Sequence, residues 1–248
     1  MKRLAKKLIR IALTPFVLGD YFAFTRALKG QKSAQGRFSI RLRDFYPQVK
    51  DKTVKTGFDR HYVYHTSWAA RVIAETKPAR HVDISSSLYF SGLVSAFVPV
   101  DFYDYRPADL RLSNLTSSHG DLMKLPFADA SVPSLSCMHT IEHIGLGRYG
   151  DPIDPEGDIK ACKELSRSLA KGGKLLFVTP VGSRAMIEWN AHRIYTHEQV
   201  LALFPGLELV EFSLIPEHVD AGGLIRNANP SLLKDEKYAC GCFVFTKK

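Results

Sequence analysis

The 248-residue chain has four cysteines, Cys137, Cys162, Cys240 and Cys242, and no C-x-x-C pair. That excludes a disulfide-built scaffold and a paired-cysteine zinc module, and reads as buried thiols in a reducing, cytoplasmic compartment. Cys240 and Cys242 are two apart in a strand-like run, so they share one sheet face and make no metal set by themselves. Long apolar runs are also missing. The N-terminal run is broken by Arg10, Pro15 and Asp20, which excludes a membrane span there. Acids are scarce at the same end: residues 1–56 hold 14 Lys/Arg against Asp20, Asp44 and Asp51, a balance of +11. Residues 57–248 hold 20 bases and 22 acids. A near-neutral body excludes nucleic-acid binding by the main domain and assigns the anionic partner to the N-terminus. Internal repeats and low-complexity tracts are lacking as well.

Two segments follow: a basic extension, residues 1–56, and an α/β domain, residues 57–248. In a helix beginning at the N-terminus, Arg3, Lys6, Lys7 and Arg10 fall on one side and Leu4, Leu8, Ile11 and Ala12 on the other. Residues 1–29 then suit an anionic membrane surface, peripheral on the inner face of the plasma membrane. A helix packed on its own domain fits the same pattern. A signal peptide fits the basic start and IALTPFVLG, but no small-x-small cleavage site follows. Residues 30–56 are polar and basic, a linker or arm.

From residue 57 the periodicity changes. FDRHYVYHTSWAARVIAET suits a helix ended by Pro78. HVDIS, FVPVDFYD, VPSLSCMHT, KLLFVTPVG, LELVEFSLI and CGCFVFT read as strands. DPEGDIKACKELSRSLAKGG reads as a helix capped by Asp154, with Pro155 at its first position, a stripe of Ile159, Cys162, Leu165 and Leu169, and a stop at Gly172. Thr196 and Gln199 have capping-box spacing before VLALF. Alternating strand and helix with a β-rich end predicts a doubly wound, mainly parallel sheet with an antiparallel edge, its ligands beyond the carboxyl ends of the strands.

The motifs lie there. HTIEH places His139, Glu142 and His143 in H-x-x-E-H order, the inverted zinc-peptidase pattern. That chemistry needs both histidines on one helical face, with Glu217 or His218 as a downstream third ligand. Here a strand-like run precedes the motif, and Gly145, Gly147 and Gly150 follow it and oppose a helix. A strand-to-loop turn at the rim of a cleft is the alternative, and no metal ligand is assigned. Three histidines in rim segments, His139, His143 and His192, are candidates for a general base, with Glu142 to orient an imidazole.

The ordered set GDLMKLPFADASVPSLSCMHTIEHI…ELSRSLAKGGKLLFVTPVG resembles the class I S-adenosylmethionine-dependent methyltransferases over roughly residues 80–215. EHIGLGRYGDPIDPEGD with NAHRIY resembles a bacterial domain family of unassigned function, methyltransferase-like and linked to surface-polysaccharide synthesis. The resemblance implies a Rossmann-like methyltransferase fold and S-adenosylmethionine as cofactor. Asp83 would hold its amino-acid end or order the adjoining loop, with Ser85 and Ser87 in the place of the family's glycines. Asp104 would accept from ribose hydroxyls, and Asp121 from the adenine amine, with Leu122 covering the ring. His143 is the favoured base. Arg148, Tyr149, Asp151, Asn190 and Arg193 would suit a polar, anionic sugar acceptor, a glycan precursor carried on a lipid; their alternative is a hydrogen-bonded loop that braces the helix near Asp154. A non-catalytic module that binds a partner or nucleotide sugar remains the second reading, because the first-strand loop lacks glycine.

Overall fold

The structure is a computed structural model. It describes residues 2–31, 36–49 and 51–248, with side chains from residue 15 onward. The chain divides into two units, Met1–Phe58 and Asp59–Lys248.

In the first unit α1 spans Lys2–Gly30 and contains Pro15. Phe45, following a short 3₁₀ turn at Leu42–Asp44, packs edge-on against Tyr21 with ring centroids 5.7 Å apart. Phe16, Phe22 and Phe24 are exposed. The two-sided pattern of Arg3 to Ala12 lies outside the described side chains. Among the described residues no helix is long and apolar enough to cross a membrane.

The second unit opens with α2, Arg60–Thr76. The Asp59 side chain caps it by accepting from the Tyr62 N–H, and Lys77 ends it in the left-handed region. Its buried face, His65, Trp68, Ala69, Val72 and Ile73, repeats at helical spacing. Seven strands then form one sheet in the order β3-β2-β1-β4-β5-β9-β8. They are β1 His81–Ile84, β2 Val100–Asp104, β3 Leu115–His119, β4 Val132–Met138, β5 Leu169–Val181, β8 Leu207–Ile215 and β9 Ala239–Lys247. β1 to β5 pair in parallel, and β9 runs antiparallel to both β5 and β8. This is the expected doubly wound, mainly parallel sheet, with its antiparallel pairs gathered at one side.

Each face carries its own core. α2 and α3 (Leu88–Val94) contribute to one core, where Trp68, Val72, Phe90 and Val94 join Phe102, Met138, Val178, Cys240 and Cys242. α4 (Gly157–Ser168) and α5 (His197–Leu203) contribute to the other, with Leu165, Val200 and Phe204 joining Leu135, Cys137, Phe177 and Phe243. The Thr196–Gln199 capping box is complete, each side chain bonding the other residue's backbone N–H.

Several local expectations shift. The helix after residue 154 starts at Gly157, because Asp154 spends its carboxylate on the Glu156 N–H and on Lys160. It ends at Ser168 rather than at Gly172, since Leu169 already pairs with Val132 as the start of β5. Ile159 faces solvent, and the buried stripe is Asp158, Ala161, Cys162 and Leu165. β3, α3 and the hairpin of β6 (Met186–Glu188) with β7 (His192–Ile194) are additional elements.

Candidate functional site

β1 is central, with β2 on one side and β4 on the other, so the strand order reverses beside it. Ligands collect at such a point, beyond the carboxyl ends. A cavity of about 330 Å³ lies there, lined by residues that follow β1, β2, β3 and β4.

After β1, Ser85 takes φ +55°, a left-handed turn residue. Its N–H donates to the Tyr103 carbonyl at 2.7 Å, and its own carbonyl accepts from the Thr140 hydroxyl at 3.0 Å. Serine thus fills the conformation that glycine adopts most cheaply. Ser86 accepts from the Met138 N–H at 3.1 Å, and Ser85, Ser86 and Ser87 all line the cavity. Tyr89 points to solvent, 86% exposed, and leaves the cavity unobstructed.

Asp104 ends β2, lines the cavity, and accepts from the Arg106 N–H at 2.7 Å. Asp121 and Leu122 line it from the turn after β3, where Asp121 accepts from the Met123 N–H at 2.9 Å. Asp83 does not reach it. Fully buried, Asp83 accepts from Ser91 of α3 and Ser136 of β4, so it ties those two elements to β1. Burial pushes its carboxyl up to about 6, against the bonds from its serines. Behind it His81 bridges Ser134 and Ser136 at 2.8 and 2.9 Å, and burial lowers that imidazole to about 3.

The H-x-x-E-H stretch is the strand-to-loop turn. β4 ends at Met138, His139 has φ +54°, and Ile141–His143 is one 3₁₀ turn. The histidines share no α-helical face, so the inverted zinc-peptidase arrangement is not formed. His139 Nδ1 instead meets buried Glu142 at 2.8 Å. Burial opposes both charges, yet Cys240 and then Glu142 raise His139 against it, and His139 lowers Glu142 from its ordinary value. His143 is different. Its Nδ1 lies 2.7 Å from the Ala191 carbonyl, which can only accept, and 3.2 Å from the Arg148 guanidinium, which can only donate; the shorter contact favours the proton on Nδ1 and the lone pair on Nε2. Burial lowers its pKa, against Glu142, and leaves a neutral imidazole on the cavity wall.

The loop after this turn closes on α4. Gly145 has φ +78°, and a Cβ there would lie 2.0 Å from the Asp154 carbonyl oxygen. Asp151 accepts from the Gly145 and Tyr149 N–H groups, so it braces the loop while lining the cavity. Tyr149 also lines the cavity, with the Arg106 and Arg148 guanidiniums 5.1 and 5.0 Å from its ring centre. Arg148 donates to the Ala191 carbonyl at 2.8 Å.

Asp83, Glu142 and Arg148 are not part of the cavity lining, and three more expected residues lie outside it. Arg193 is buried, donating to the Ile144 carbonyl at 2.6 Å and lying 3.6 Å from Asp158; it braces the loop and does not face the cavity. Asn190 is exposed beside the β6–β7 hairpin. His192 stacks on Tyr238 at 4.9 Å and lies 6.4 Å from His143, outside the cavity lining.

The fold also brings together residues that were not anticipated. Tyr62, Tyr105, Arg106 and Thr140 join the cavity wall. His61, from the first turn of α2, stacks on His139 at 5.6 Å, and Cys240 of β9 lies 3.4 Å from His139 Nε2. Burial lowers His61 to about 4 and pushes the Cys240 thiol up. The signal in the sequence was RHYVYH, where His61 and His65 stand one helical turn apart.

The family described as "Caenorhabditis protein of unknown function, DUF268" matches residues 124–219, which contain the whole loop from β4 to β7. That description gives no support to the expected bacterial origin. No curated protein matches the chain in sequence. Among solved structures, the N-methyltransferase NodS from Bradyrhizobium japonicum, in complex with S-adenosyl-L-homocysteine, aligns with a TM-score of 0.53 at 13% identity, covering 73% of this chain and 85% of its own. A candidate sarcosine dimethylglycine methyltransferase from Galdieria sulphuraria aligns with a TM-score of 0.53 at 15% identity, covering 74% and 85%. The cyclase SpnF aligns with a TM-score of 0.50 at 14% identity, covering 73% and 81%. The chain has the Rossmann-like fold of the class I S-adenosylmethionine-dependent methyltransferases.

Proposed function

We propose that the protein is an S-adenosylmethionine-dependent methyltransferase acting on a hydroxyl of a glycan precursor. The observation that carries this reading is the cavity wall itself. It holds a carboxylate at the end of β2, an acid followed by an apolar residue after β3, a left-handed turn after β1, and a neutral imidazole. That donor set fits the cofactor. Asp104 would hold the ribose hydroxyls, Asp121 the adenine amine with Leu122 against the ring, and the Ser85–Ser87 turn the amino-acid end. S-adenosylmethionine, when bound, supplies an activated methyl group on a sulfonium.

The chain's own residues then align the acceptor and take its proton. His143 Nε2 is the accepting atom, oriented through Nδ1 by the Ala191 carbonyl. The Tyr149 ring flanked by Arg106 and Arg148 gives the rim an aromatic surface and positive charge, which suits a sugar bearing phosphate or carboxylate. On α1 the exposed Phe16, Phe22 and Phe24, with the +11 charge of residues 1–56, support a place on an anionic membrane surface where lipid-linked precursors reside.

A second reading, a non-catalytic binding module in glycan assembly, draws on the serines at the first-strand turn. Transfer of labelled methyl from S-adenosylmethionine to glycan precursors decides between them. Label in the glycan fraction, lost in His143→Ala, is the expected result; ligand binding without transfer to any precursor favours the module. Deleting residues 1–29 should abolish co-sedimentation with anionic vesicles, and unchanged sedimentation would remove the membrane assignment.

A further inference from the structure

The chemistry assigned to the cavity leaves a second cluster unused. His61, His139 and Cys240 come from α2, the turn after β4, and β9, and their ligand atoms all lie within 4.8 Å of one another. We propose that these three residues form a zinc site, held by two imidazoles and one thiolate, beside the cavity that His139 lines.

The donor set is that of zinc: a soft sulfur with nitrogen ligands, three protein donors leaving a fourth tetrahedral position to water or ligand. The dimensions agree. A tetrahedral ion with Zn–N of about 2.0 Å and Zn–S of about 2.3 Å needs an N···S edge of about 3.5 Å. His139 Nε2 and Cys240 Sγ stand 3.4 Å apart. His61 has a ligand nitrogen within 4.8 Å of both other donors and must rotate out of its stacked pose on His139 to complete the set.

The surroundings fit a metal as well. His139 presents Nε2 to Cys240 because its Nδ1 is bonded to Glu142, the carboxylate–imidazole–metal arrangement that orients ligating histidines. Glu142 is 1% exposed, and its Oε2 has no hydrogen-bond partner among the described residues. His65, fully buried one turn after His61, bonds the His61 carbonyl through Nδ1 at 2.6 Å and has an unpartnered Nε2. Buried polar atoms left unpaired are costly, and a site that binds an ion gives them a reason to persist. The pattern differs from the H-x-x-E-H zinc motif: His139 is shared, while His143 keeps its bond to Ala191 and Glu142 orients rather than activates water.

The test is a Co²⁺ titration of the full chain after chelator treatment and dialysis. It does not depend on S-adenosylmethionine binding, so its failure and that of the methyltransferase reading are separable. The expected result is saturation at about one equivalent, a thiolate-to-cobalt charge-transfer band in the near ultraviolet, tetrahedral-type visible bands, and displacement of all three by Zn²⁺. Cys240→Ser should remove the charge-transfer band and His61→Ala the tight stoichiometric phase. Cys162→Ala, in α4, should leave both intact. Glu142→Gln, acting through His139, should weaken Zn²⁺ binding about 10–100-fold while keeping the band. Far-ultraviolet circular dichroism checks that each variant is folded. A folded wild-type chain without the band overturns the proposal, as does a band that survives Cys240→Ser.

Discussion

Raising the pH from about 4 to 7 should weaken the fold through one residue, Asp83. It is fully buried, and its neighbours Ser91 and Ser136 are hydroxyls rather than cations. The acid therefore ionises near pH 6 in the folded chain, against 3.8 for the free side chain. Between those values the folded state binds more protons than the unfolded state, so stability falls as pH rises. At about 1.4 kcal/mol per unit, the full effect is about 3 kcal/mol, complete above the folded pKa and absent below the unfolded one. Glu142, Glu164 and Glu211, whose carboxyls are lowered, push the other way: their contributions are lost as pH falls. The total profile is thus a composite, and the informative quantity is a difference. Urea unfolding of wild type and Asp83→Asn, followed by circular dichroism from pH 4 to 7, isolates it. Wild type should lose most of that, about 2 kcal/mol, relative to the variant across that range, because part is already lost at pH 4, whatever constant offset the amide introduces. A difference that stays flat, or moves in the variant's disfavour as pH rises, would refute the reasoning.

Three further outcomes follow from the site. Gly145→Ala should cost about 3 kcal/mol or more in urea unfolding, because left-handed strain adds to a collision with the Asp154 carbonyl. Arg193→Met should lower the melting temperature by roughly 10 °C, since it strips the Ile144 carbonyl of its donor and leaves Asp158 buried beside no cation. His143→Ala should reduce kcat/KM about 10²–10⁴-fold with S-adenosylhomocysteine affinity unchanged. Wild type should show its acid limb below pH 6.5, as expected of an imidazole lowered by burial among Glu142, Arg148 and His192; a limb above that value would exclude His143 as the base.

The sheet was legible where its strands carry apolar runs: the second half of β5 is buried on both faces, while β8 alternates before its buried end. LELVEFSLI coincides with β8, and KLLFVTPVG lies within β5 but for its final glycine. LTSSH was not, since β3 is an edge strand whose polar side chains carry no burial pattern. Helix α3, at seven residues, is too short for periodicity to register. In the site, linear order was sufficient for Ser85, Ser87, Asp104, Asp121 and Leu122, each at the carboxyl end of a strand or within three residues beyond it, and all of them line one cavity. Asp83 and Arg193 lie within β1 and β7, and Asn190 in the β6–β7 turn; there side-chain direction decides, and sequence position does not give it. His61 and Cys240 meet His139 only through tertiary packing of α2 and β9 on the turn after β4. Their roles belong to contacts that no local pattern encodes.

The cavity at the carboxyl ends of β1, β2 and β4 should hold the cofactor. Calorimetric titration of the full chain with S-adenosylhomocysteine tests it most directly. The expected result is one site of micromolar affinity, about −8 kcal/mol, weakened about tenfold or more by Asp104→Ala. A folded chain that binds nothing, or binds equally well without the Asp104 carboxylate, would contradict it.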